Sequence, residues 1–122
     1  MDHSHRALML LHKGTGRTAI SLSVQTIGTD LLVNLFNSQA HIGAVAVAEF
    51  STAENRASTS IITRFGHKDN LVAGAAAHAL CKHLKKPVCV IAGIHLDDIT
   101  KDEIEQIVQN CEAAVEEFLG QI

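Results

Sequence analysis

The hydrophobic pattern of this chain of 122 residues changes period partway along, and that change limits the architecture more than any motif does. The first half reads as strands. Ala7-Leu8-Met9-Leu10-Leu11 is a short apolar run that breaks at the glycine-bearing segment Lys13-Gly14-Thr15-Gly16-Arg17. Ile20, Leu22 and Val24 then alternate with Ser21, Ser23 and Gln25, the period of a half-buried strand. Gly28-Thr29-Asp30 turns into Leu31-Leu32-Val33-Asn34-Leu35-Phe36. Ala44-Val45-Ala46-Val47-Ala48 is apolar on both faces and reads as a central strand, and Ser58 to Phe65 as a fifth strand. Beyond it the period becomes helical. Asp69 or a near neighbour is expected to cap a helix through Leu71, Val72, Ala76, Leu80 and Leu84 to Lys85, stopped by Pro87. Its Ala73-Gly74-Ala75-Ala76-Ala77 stretch permits close approach of the sheet or of a second subunit.

Val88-Cys89-Val90-Ile91-Ala92 is a sixth, fully buried strand. The last helix has a capping box in Thr100 and Glu103, flanked by Ile99 and Ile104 as a hydrophobic staple. Ile104, Ile107, Val108, Cys111, Val115, Phe118 and Leu119 trace its apolar stripe. The order β-β-β-β-β-α-β-α therefore predicts an α+β domain: a mainly antiparallel six-stranded meander with two helices on one face. The opposite face would be open in a monomer, which points to a dimer. One domain spans 1–122, with residues 1–5 expected to be disordered.

Composition removes several function classes. The net charge of −3 and the absence of a basic stripe argue against nucleic acid. No segment approaches the length of a membrane span, and no signal peptide is visible. Three widely spaced cysteines, Cys81, Cys89 and Cys111, read as reduced core thiols, so the expected location is cytoplasmic. Trp and Tyr are absent, whereas His occurs 8 times, and the functional argument turns on where those histidines fall.

Gly14-Thr15-Gly16-Arg17-Thr18-Ala19 matches a dinucleotide fingerprint by letter, but a strand follows where a helix is required, so the segment reads as a hairpin turn. Lys13 and Arg17 beside its amides offer a weak anion site. Three other segments place a histidine and a glycine where strands begin or end: His41-Ile42-Gly43, Gly66-His67-Lys68-Asp69-Asn70 and Ala92-Gly93-Ile94-His95. Such junctions present functional groups from a rigid scaffold. His41, His67 and His95 are candidate ligands of an open divalent-metal site; each taken alone is also explained by a backbone hydrogen bond. His67 and Lys68 precede a helix, where the dipole favours phosphate, and Arg64 could add a bidentate contact. Glu49, Glu54 and Arg56 flank an ordinary polar loop, and His78 and His83 are helix-surface residues.

These three segments, followed by Ile99-Thr100-Lys101, resemble the prenylated-flavin chaperone family, the accessory subunits of gallate-type decarboxylases. The resemblance runs from about Gly28 to Leu119 and leaves the Lys13–Arg17 turn unmatched. It implies a dimeric fold similar to the proteasome assembly chaperones. It also implies a role: binding prenylated FMN and delivering it to, or oxidatively maturing it for, an apo-decarboxylase partner. The expected cofactor-binding residues are Arg64, Gly66, His67, Lys68, Asp69, Asn70, Gly43 and Gly93. The phosphate would meet the helix start at His67 and Lys68, and a metal would bridge to it. Two alternatives compete: a protein-assembly chaperone without a small ligand, and a small metal-dependent enzyme with Glu49 or Asp69 as base.

Overall fold

The computed structural model describes residues 6–64 and 69–122. The elements follow the order read from the sequence: β1 (Arg6–Lys13), β2 (Ile20–Ile27), β3 (Asp30–Phe36), β4 (Ala44–Ser51), β5 (Arg56–Thr63), α1 (Asn70–Leu84), β6 (Val88–Gly93) and α2 (Lys101–Gly120). β5 begins and ends earlier than its β-branched residues suggest, at Arg56 and Thr63. The Gly14–Gly16 segment joins β1 to the antiparallel β2 through a single 3-10 turn, Gly16–Thr18, so it is a hairpin connection.

The sheet is mixed, not an antiparallel meander. Its order is β1-β2-β3-β6-β4-β5, with β6 parallel to β3 and antiparallel to β4. The physical reason lies in β6. A meander would leave this strand at an edge, with an apolar backbone row open to pairing. Placed between β3 and β4, it is buried, and α1 supplies the long crossover that a parallel neighbour requires.

Both helices cover one face, α1 over β4, β5 and β6, and α2 over β1, β2 and the 3-10 turn. That face carries the core: Ile20, Leu22 and Val24 from β2, Leu31, Val33 and Leu35 from β3, and Val88 and Val90 from β6. Under α1 the sheet presents alanines. Ala44, Ala46 and Ala48 meet Ala73, Ala76 and Ala77, all buried, so helix and sheet approach closely. Gly74 belongs to this contact, since a Cβ there would lie 2.5 Å from Ile61 Cδ1. The small residues of α1 thus split: 73, 74, 76 and 77 face the sheet, while Ala75 and Ala79 are exposed.

The other face is uncovered within one chain. Register places Gln25, Leu32, Cys89, Val47 and Ser60 on one rung, and Leu10, Ser23, Asn34, Ile91, Val45 and Ile62 on the next. A shorter rung holds His12, Ser21, Phe36 and Gly93. Cys89 is consequently half-buried on this open face, unlike Cys81 and Cys111, and all three thiols are free. Among the described residues no helix is long and apolar enough to cross a membrane.

Candidate functional site at the end of the parallel strands

Parallel strands β3 and β6 end side by side, with Phe36 opposite Gly93. In sheets with parallel neighbours, loops leaving the carboxyl ends are favoured ligand positions. Here α1 and α2 both begin at this end and run back along the sheet, so both positive helix ends point toward the same loops.

The loop after β6 is held by a side chain that sequence reading missed. Asn37, buried at 8% exposure, donates to the His95 carbonyl at 2.8 Å and accepts from the His95 N–H at 3.2 Å. The imidazole of His95 is oriented in turn by Asp97, with Nε2 3.0 Å from Oδ1. The loop before β4 is pinned as closely. The Gly43 N–H donates to the Ala92 carbonyl at 2.9 Å, and the Arg64 N–H to the Gly43 carbonyl at 2.9 Å. Arg64 also donates through its guanidinium to the Ile42 carbonyl at 2.8 Å. The result brings His41 beside His95, ring centroids 5.2 Å apart and tilted by 46°.

The glycines serve close approach. A Cβ on Gly93 would lie 2.3 Å from the His41 carbonyl oxygen, and one on Gly43 would lie 1.9 Å from Asp69 Oδ2. Asp69 occupies the N-cap position of α1, as expected, but its side chain does not cap the helix. Its carboxylate accepts instead from the Ile94 N–H at 3.2 Å, tying the start of α1 to the loop that carries His95.

His41, Gly43, Arg64, Asp69, Gly93 and His95 therefore meet at one end of the sheet, with Asn70 opening α1 next to them. Gly66, His67 and Lys68 lie outside the described residues. Among the described residues no three His, Cys, Asp or Glu side chains gather as metal ligands. Glu49 stands apart from the site. It follows Ala48, which pairs with Val88 at the opposite end of β6, so it cannot act as a base beside His41 or His95.

The turn joining β1 and β2 is a brace, not an anion site. Lys13 pairs with Glu117, and Arg17 donates to Glu103 at 2.7 Å and to the Asp97 carbonyl at 2.8 Å. The Arg17 guanidinium holds the Glu103 carboxyl at about 2, with the Thr100 N–H helping through the capping box. Arg17 thereby connects the turn, the start of α2 and the residue that orients His95. Asn110, also buried, donates to the Thr18 carbonyl at 2.9 Å and fixes the same turn from α2. The cysteines take no part. Burial pushes the Cys111 thiol up to about 12, with Asp69 and Glu112 adding negative charge, and burial raises Cys81 and Cys89 as well.

Beside the histidines the open face is hollowed. A recess of about 300 Å³ is lined by Ser23, Asn34, Phe36, His41, Ile42 and Ile91, among others. A second, of about 420 Å³, lies beyond Phe36 and includes His12, Arg17, Ser21, Asn37 and Gln39. Their polar groups are paired across strands, Asn34 to Ser23 at 3.1 Å and His12 Nδ1 to Ser21 at 2.7 Å. One signal for this floor was present in the sequence: Asn34 is the lone amide within the apolar run Leu31–Phe36.

Compared with known proteins, residues 14–122 match the model of the prenylated flavin chaperone LpdD-like domain. The chain belongs to that family. The match includes the Gly14–Arg17 turn, which the residue resemblance had left out. Among solved structures, a chain from a chaperone complex for yeast 20S proteasome assembly superposes with a TM-score of 0.57 at 9% identity, covering 92% of this chain and 99% of that one. At that identity the likeness is one of fold. No curated protein sequence matches.

Proposed function

We propose that this member of the prenylated-flavin chaperone family binds prenylated FMN at the carboxyl end of β3 and β6 and delivers it to an apo-decarboxylase. The observation that carries the reading is the convergence of His41, His95 and Arg64 beside the Phe36 recess, in a chain matching the family over residues 14–122. A flavin requires a flat apolar surface, hydrogen-bonding groups for its ring edge and cationic or amide partners for its phosphate. Phe36, Ile42 and Ile91 supply the first, so the lack of Trp and Tyr does not deprive the site of an aromatic face. Ser23 and Asn34 supply the second. Arg64, with guanidinium nitrogens beyond the one bonded to Ile42, supplies the third, assisted by the positive ends of α1 and α2.

When bound, prenylated FMN brings its own redox chemistry, and the chain contributes position and solvent access. Asn37 and Asp97 hold His95 in one orientation, and Arg17 holds the Asp97 backbone. Among the described residues, His41 and His95 offer two imidazoles, where an open metal site takes three protein ligands. A divalent ion therefore enters this reading as an arm of the test, as does oxidation of the reduced cofactor during handover. Work inside the cell and a homodimeric state complete the proposal.

The test is a titration of the purified, untagged protein with prenylated FMN, with and without added divalent metal, followed by absorbance and flavin fluorescence. Binding is expected to weaken about tenfold or more in Arg64→Ala and His95→Ala, in line with the loss of one or two charge-assisted contacts. Open-face substitutions remote from the recess, such as Ser60→Ala, should leave it unchanged. No binding under either condition sinks the cofactor reading and leaves a protein client alone.

A further inference from the structure

On the face of the molecule away from the flavin recesses, α1 and α2 touch over part of their length. Between them lies a groove of about 500 Å³. Its α1 wall is Leu71, Ala75 and Ala79, one helical turn apart, and its α2 wall is Val108, Val115 and Leu119. The groove exists because Ala75 and Ala79 are too small to reach α2. Leu71, at its mouth, is 74% exposed, a large apolar side chain that no described neighbour covers. Glu112 and Glu116 stand exposed along the α2 rim, again one turn apart, and no described cation pairs with either.

These observations restrict what can lie there. Both walls are helices whose backbone groups are satisfied internally, so the groove offers no partner for the N–H and C=O groups of an extended segment. Burying an extended chain would orphan those groups; a helix brings its own hydrogen bonds. The walls select an apolar stripe on that helix, and the acidic rim selects Lys or Arg beside the stripe at the same spacing. We infer that the groove between α1 and α2 is a docking site for an amphipathic helix of a partner protein, with an apolar face and a basic flank. α1, with its 15 residues, sets the length of the occupant at about three to four turns, roughly 22 Å. Because the groove and the recesses lie on opposite faces of the sheet, a partner held here leaves the flavin site open. The inference is independent of the cofactor reading, and either can fail alone.

The test uses the full chain and two fluorescein-labelled peptides of about 14 residues, each a Leu/Ala helix, one flanked by Lys and Arg and one by Glu. Fluorescence anisotropy should detect saturable binding of the basic peptide, weakening with salt, and little binding of the acidic one. The pair Glu112→Lys, Glu116→Lys should lower the affinity for the basic peptide roughly tenfold and confer affinity for the acidic peptide. Ala75→Leu with Ala79→Leu should fill the groove and abolish binding at an unchanged melting temperature. Should that pair fail to fold, the charge reversal, at exposed positions, decides alone. The proposal is overturned if the basic peptide does not bind, if charge reversal leaves the peptide preference unaltered, or if a folded, groove-filled variant binds as well. It is also overturned if filling the groove changes the sedimentation of the chain, since the occupant would then be a second copy.

Discussion

Gly93 and Gly43 are both required for close approach, yet substituting them should have different consequences. The Cβ of Gly93→Ala would fall on the His41 carbonyl, a backbone atom held in a pinned loop, so the loop itself must move. We expect a loss of about 1–3 kcal/mol in stability, the usual cost of overpacking a close contact, together with weakened flavin binding because His41 is displaced from His95. Gly43→Ala meets the end of the Asp69 side chain, which can swing away at the expense of its bond to Ile94. Urea denaturation of the two variants compares the costs, and equal losses would mean that the backbone contact at Gly93 is not the stiffer one. Asn37 illustrates the converse. One buried amide closes two hydrogen bonds on His95, and nothing in its sequence neighbourhood sets it apart from any loop asparagine.

The start of α2 gathers several interactions onto one carboxylate. Glu103 accepts from the Thr100 N–H at 3.0 Å and from Arg17 at 2.7 Å, while its own N–H donates to the Thr100 hydroxyl at 3.1 Å. Its carboxyl lies at about 2, below the ordinary 4.5, so the folded form binds its proton less readily than the unfolded chain. The stabilisation from Glu103 is therefore complete above about pH 4.5 and is lost as the pH falls toward 2. Melting temperatures of the wild type and of Glu103→Gln should differ by a constant amount above pH 5 and converge below about 4.5. Parallel curves down to pH 2 would show that Glu103 is not held by Arg17 in solution. The substitution reaches the site too, since Arg17 also binds the Asp97 carbonyl.

At the scale of the whole molecule, one sheet face is covered by helices and the other is not. The open face carries Ile91, Val45 and Ile62 on one rung and Leu32, Cys89 and Val47 on its neighbour, an apolar half beside the polar Ser21, Ser23 and Gln25. Six strands by about seven residues outline roughly 700 Å², close to the approximately 800 Å² that each partner buries in a standard interface. Together with exposed Ile62 and Val47, this favours the proposed homodimer through the open face, an arrangement that would set the recess at Ser23, Asn34 and Ile91 along the subunit seam. Val47→Glu should shift the sedimentation coefficient from dimer to monomer and make the melting temperature independent of protein concentration. A wild-type monomer at micromolar concentration would refute that arrangement.

Local periodicity settled the number, order and kind of the elements, because alternation and helical spacing are properties of neighbouring residues. The capping box at Thr100 was legible for the same reason: its two partners lie three positions apart. The histidine and glycine segments could be recognised as junctions, and His41, Gly43, Gly93 and His95 do meet. Strand order was not legible. Whether β4 or β6 lies beside β3 depends on which arrangement buries an apolar strand on both faces, a comparison between distant segments that no local pattern contains. The same holds for Asp69, whose carboxylate turned to Ile94 instead of its own helix, for Arg17, which found Glu103 86 positions away, and for Asn37 and Asn110. The sequence by itself determined which segments would be strands or helices and which residues stood at their ends. Only the tertiary structure decided which of those ends are neighbours, because that choice rests on burial and hydrogen-bond satisfaction over the whole chain.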